Sequence, residues 1–171
     1  LIGSGRQMTK RMKHALGAAA VFVLIGAADA AAQGTANANV TATVTVAGRA
    51  RLDVSATDIA FADADPTATP SIQADVTLNI QAQVRTTPTS AATLTVQAGG
   101  DFTAAGGATI GIGNLTWTTT GGGYAGGTAA TTAVSVGSWT GPGARNGTQT
   151  YFLANSWAYA PGTYTATLAY T

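Results

Sequence analysis

The chain has 171 residues, only 9% of them charged, with no Cys and a formal net charge of +1. Its one His (His14), both Lys (Lys10, Lys13) and both Met (Met8, Met12) lie near the start, and no Glu occurs anywhere. Beyond that start the composition excludes disulfide scaffolds, Cys- or His-ligated metal sites and catalysis by a His, Lys or Cys side chain.

Residues 1–32 read as an export signal. Arg6, Lys10, Arg11 and Lys13 form a basic head, and Ala15 to Ala28 is an uncharged run of 14 residues. Ala28-Asp29-Ala30 and Ala30-Ala31-Ala32 supply the small residues at which a signal peptidase cuts. A permanent membrane span needs about 20 apolar residues, more than this run has. No Cys follows that would make a lipid-anchored product. Residues before Met8 read as upstream sequence, with Met8 or Met12 as the start. Thr171 falls inside a strand pattern, so a few further C-terminal residues are expected.

Residues 33–171 are expected to form a single domain of ordinary size. Its charges are four Arg (49, 51, 85, 145) and six Asp (53, 58, 63, 65, 75, 101), a formal charge of −2. No basic stripe remains, so nucleic acid is not an expected partner.

From there the chain reads in period two. Val40, Ala42, Val44 and Val46 alternate with Thr41, Thr43 and Thr45, which predicts a half-buried strand with a Thr outer face. Leu52 and Val54 predict another, followed after a polar break by Ile59 and Phe61. Asp63 to Pro66 and Thr69-Pro70 mark a long turn region. Val76, Leu78, Ile80, Ala82 and Val84 predict a long strand, and Leu94 and Val96 the next. Ile110, Ile112, Leu115 and Trp117 continue the alternation. The tract Gly121 to Gly127 reads as low-complexity and too flexible for a strand interior. Val134, Val136 and Trp139 form a further strand, closed by Gly141-Pro142-Gly143. Tyr151 and Leu153 lead on to Trp157 and Tyr159. After the Pro161-Gly162 turn, Tyr164, Ala166, Leu168 and Tyr170 predict one last strand.

Eight or nine short strands at regular turn spacing predict an all-β fold of two packed antiparallel sheets. An immunoglobulin-like sandwich of Greek-key type is the expected architecture, with a jelly roll as the alternative.

Candidate sites are few. No base remains for a Ser or Thr nucleophile, and scattered Asp do not make an acid pair, so an enzyme is not expected and no cofactor is implied. Asp58, Asp63 and Asp65 cluster in sequence and are weak candidates for Ca²⁺, set against a plain acidic turn. Trp157 and Tyr124 are candidate platforms for stacking on sugar rings, whereas alternation assigns Trp117 to the core.

The C-terminal run Trp157-Ala-Tyr-Ala-Pro-Gly-Thr-Tyr-Thr-Ala-Thr-Leu-Ala-Tyr-Thr171 resembles the end of secreted bacterial pilin-like proteins, of the spore coat protein U and chaperone–usher fimbrial type. The alternating segment from Ala38 to Val46 resembles a donor strand. The resemblance implies an immunoglobulin-like subunit lacking one strand, whose groove a neighbour's N-terminal extension fills. It also implies a periplasmic chaperone as a possible partner. Members commonly carry a disulfide, which this Cys-free chain does not have.

Two functions are therefore expected of a protein placed in the periplasm, on the cell surface or outside the cell. The first is a structural subunit of a surface appendage or matrix that assembles with itself or with other surface subunits. In it Val40, Val44 and Val46 make the strand-addition contacts, and Tyr164, Leu168 and Tyr170 line the last core strand. The alternative is a carbohydrate-binding or adhesion module that contacts a glycan through Trp157 and Tyr124.

Overall fold

The computed structural model describes residues 37–171. The export signal lies outside the described residues. No helix among the described residues is long and apolar enough to cross a membrane. Two units are distinguished, Leu1–Val44 and Thr45–Thr171, and the second holds every strand among the described residues.

In chain order the strands are β1 (Arg49–Val54), β2 (Ser71–Gln73), β3 (Leu78–Arg85), β4 (Ala91–Ala98), β5 (Phe102–Ala104), β6 (Thr109–Ile110), β7 (Leu115–Thr120), β8 (Gly127–Thr128), β9 (Val134–Thr140), β10 (Gly143–Ala154), β11 (Tyr164–Thr165) and β12 (Leu168–Tyr170). One 3₁₀ turn, Ile112–Asn114, precedes β7. All pairings are antiparallel. A six-stranded sheet runs β1-β3-β10-β7-β8, with β2 also on β10; a second runs β12-β4-β9, and a small third runs β11-β5-β6.

The apolar faces of these sheets share one core, built from Leu78 and Ile80 on β3, Leu94 and Val96 on β4, Leu115 and Trp117 on β7, Val136 on β9 and Tyr151 on β10. The fold is therefore all-β and consistent with a β-sandwich. Alternation explains these faces: β3 buries Leu78, Ile80 and Ala82 while Asn79 stays exposed. Trp117 is buried as expected, and its indole N–H donates to Ala125 O at 3.0 Å.

Three expectations need correction. Residues 37–48 form no strand, and Val40, Val44 and Val46 are 92, 83 and 62% exposed rather than half-buried. Alternation makes a strand only when a neighbouring strand takes up its backbone groups, and none among the described residues does so here. The last strand is broken in two, because Tyr164 and Thr165 pair with β5 whereas Leu168 to Tyr170 pair with β4. The glycine tract enters a strand only at Gly127, but it is more ordered than its composition suggests. Ala125 N–H donates to Val136 O, Ser138 N–H to Gly123 O and the Trp139 indole N–H to Gly122 O, so the tract is laced onto β9.

That lacing closes one flank of the sandwich, where β7 and β8 face β9. The Tyr124 ring fills the space above Gly147 of β10, and its hydroxyl donates to Ile80 O and Arg145 O at 3.2 and 3.0 Å. On the opposite side, Ile59 and Phe61 after β1 and Leu168 and Tyr170 on β12 pack against the core, but among the described residues no backbone hydrogen bond laces these two segments together.

Candidate functional site

The open flank is a cleft of about 1410 Å³. Its floor is formed by the buried core residues Leu78, Phe102, Ile110, Leu115 and Tyr151, with half-buried Leu153 beside them. One wall is the strandless segment from Ala56 to Pro66, which carries Ile59 and Phe61 inward. This wall stands because Ala60 N–H donates to the Asp75 carboxylate at 2.8 Å and Asp75 N–H donates to Ala60 O at 2.9 Å. The other wall runs from Asn155 to Leu168 and ends on Tyr170. Pockets for small ligands are commonly about 300–1,000 Å³, so the cleft suits an extended occupant better than a small molecule.

One border of the cleft is a strand edge. β12 pairs with β4 alone among the described strands. Thr171 and Thr95 exchange both backbone hydrogen bonds, at 2.7 and 2.9 Å. In an antiparallel ladder such pairs alternate, so the amides and carbonyls of Leu168 and Tyr170 face away from β4, toward the open side. Their side chains, only half-buried, point at the cleft floor. An edge of this kind is a template for another strand.

Tyr170 anchors that edge. Its hydroxyl donates to Gln149 Oε1 at 2.7 Å and lies 2.8 Å from the Tyr151 hydroxyl. Gln149 is fully buried, and its Nε2 has no partner among the protein atoms. Burial raises the pKa of both tyrosines above the usual value, and for Tyr151 the neighbouring Tyr170 adds to the shift. Both are neutral donors at ordinary pH.

The remaining candidates fall as follows. Tyr124 is half-buried with its hydroxyl engaged by two carbonyls, and burial raises its pKa; it is built into the core flank. Trp157 is 73% exposed at the end of the cleft, and its indole N–H donates to Thr67 Oγ1 at 3.1 Å, which fixes the ring. Asp58, Asp63 and Asp65 all line the same wall, but no group of three acidic side chains among the described residues is arranged to hold a metal ion. Asp65 instead accepts the Thr67 N–H at 2.8 Å, closing its own turn. Tyr164 and Leu168 border the cleft together with Tyr170, as parts of two strands rather than one. Sequence reasoning missed Gln149, because an isolated Gln in a Thr-rich strand carries no pattern that marks it as buried.

Comparison with family models, with curated proteins and with solved structures gave no match to this chain.

Proposed function

We propose that the chain is a secreted structural subunit that assembles by strand addition, the arm around Val40 to Val46 of one copy entering the apolar cleft of the next. The observation that carries this reading is the pairing of two unfilled halves. The cleft borders the edge of β12, which pairs only with β4 among the described strands, and Val40, Val44 and Val46 are exposed on a segment that belongs to no strand. A strand laid along β12 takes up the outward amides of Leu168 and Tyr170 and buries its own alternate side chains on the cleft floor.

The finer architecture supports the same reading. In immunoglobulin-like sandwiches one sheet is ordered A-B-E-D and the other places F beside C, with G outside F. The order β1-β3-β10-β7 matches the first pattern and β12-β4 part of the second, with β8 and β9 added outside both, so an added strand along β12 would take the position of G. The reading requires no catalytic step, metal or cofactor.

The test is an unheated against a boiled denaturing gel of the protein recovered from the bacterial surface or periplasm. A ladder that collapses only on boiling, and that is lost on deleting residues 33–47, is expected. A single monomer band in both lanes overturns the proposal.

A second reading has one observation in its favour. Trp157 presents an exposed ring held in place by Thr67, as a sugar-stacking platform would. It predicts a Trp fluorescence shift with polysaccharide that vanishes in Trp157→Ala. An unchanged spectrum rules it out.

A further inference from the structure

The cleft reading leaves one distribution unexplained, that of charge. All four Arg of the folded unit lie at one end of the large sheet. Arg49 is directly opposite Arg85 in the β1–β3 register, Arg51 is two residues on, and Arg145 is opposite Ala82 where β10 begins. Like charges placed opposite each other across two strands are destabilising. Only Arg51 has a carboxylate partner among the described residues, Asp53 at 2.9 Å. The exposed Arg49 and Arg85 face each other with nothing to offset them.

Four of the six carboxylates collect at the opposite end. Asp58, Asp63 and Asp65 stand on the cleft wall, and Asp75 holds that wall in place through Ala60. From Arg145 to Ala154 the strand β10 covers roughly 30 Å, several times the Debye length of about 8 Å at physiological salt. The two ends therefore do not compensate each other within one molecule.

The geometry points to their meeting between molecules: we infer that the Arg end of one copy docks on the Asp-bearing mouth of the next copy's cleft, making a polar, head-to-tail and salt-sensitive joint. The inference rests on the strand-addition reading and adds to it which surfaces abut and what speeds their encounter. Chain length carries it. Only Ala47 and Gly48 separate Val46 from Arg49, a reach of about 10 Å. An arm seated in a cleft therefore brings its own Arg49 to that cleft's mouth. The arm from Gln33 to Gly48 has no charge of its own, so the Arg end is what supplies the attraction. Opposed charge patches of this sort raise association rates by about 10- to 1,000-fold and lose that gain as salt rises.

The experiment follows re-assembly of the secreted protein after dissociation and refolding, by light scattering, between about 0.01 and about 0.15 M ionic strength, where screening tightens from about 30 to about 8 Å. The expected result is a rate that falls at least about tenfold across this range. The paired substitution Arg49→Asp with Arg85→Asp keeps the like-charge facing pair, and is expected to abolish the salt dependence and slow assembly. Asp58→Arg with Asp63→Arg is expected to do the same, and the four changes together to restore the fast, salt-sensitive rate. Arm-dependent assembly that ignores salt and charge reversal overturns the charged joint and leaves strand addition standing. Single-sided variants that slow assembly without rescue by the combined variant overturn the pairing of these two ends. Wild-type protein that never assembles, or assembles equally well without residues 33–47, overturns both.

Discussion

Gln149, Tyr151 and Tyr170 tie the edge strand β12 to the centre of the opposite sheet through three side chains in a row. The Gln149 Nε2 has no protein partner, so the amide depends on Tyr170 for the one bond it makes. Tyr170→Phe leaves the buried Oε1 unpaired as well, and leaving such a group unsatisfied costs about 1–3 kcal/mol. The expected readout is a lower urea midpoint with an unchanged slope. Gln149→Leu removes the buried amide altogether while Tyr170 keeps Tyr151 as a partner, so a smaller loss is expected, or none. The same tyrosines set the alkaline limit of the fold. Burial holds the pKa of Tyr151, Tyr170 and Tyr124 above the unfolded value of about 10. Above that pH the unfolded chain releases protons that the folded one retains, so unfolding is favoured. Stability is expected to hold up to about pH 10 and then fall, with tyrosinate absorbance appearing together with unfolding. Tyrosines that titrate while the fold persists would contradict this.

The glycine tract works as a closing strap for one flank. Gly123 has φ +86°, and a Cβ there would run into the Trp139 indole. Gly123→Ala is expected to cost about 1–3 kcal/mol and to shift the Trp emission, because Trp139 loses its seat on Gly122 and against Tyr124, whose ring centroid is 5.1 Å away. Native-like stability and emission would mean that the strap does not hold the flank. A run of Gly read alone carries no sign of this, since the hydrogen bonds that order it come from β9, which follows later in the chain. For the same reason the first half of β10 was not legible. Residues 143–147 show no apolar alternation, because the inward space over Gly147 is filled by Tyr124 from the strap. By contrast β3, β4 and β7 each bury their own side chains on one face, and the period-two pattern located all three.

At the scale of the molecule, the apolar content of the arm was plain in the sequence, but its exposure and the cleft were not. Both depend on which strands pair, and pairing partners lie far apart in the chain. The exposed valines separate folding from assembly. Val40→Asp and Val44→Asp touch no core, so monomer stability is expected to change by less than about 0.5 kcal/mol, whereas a ladder on an unheated gel should vanish. A large loss of monomer stability would instead make the arm part of the fold. The edge of β12 also bears on how growth would stop under the proposed strand addition. Were each copy that donates an arm to bring an unfilled cleft of its own, every addition would regenerate the acceptor, and the joint would not close on itself unless its rotation formed a ring. Polymer length is then governed by supply rather than by any internal count, and a copy that keeps the cleft but lacks the arm acts as a chain terminator.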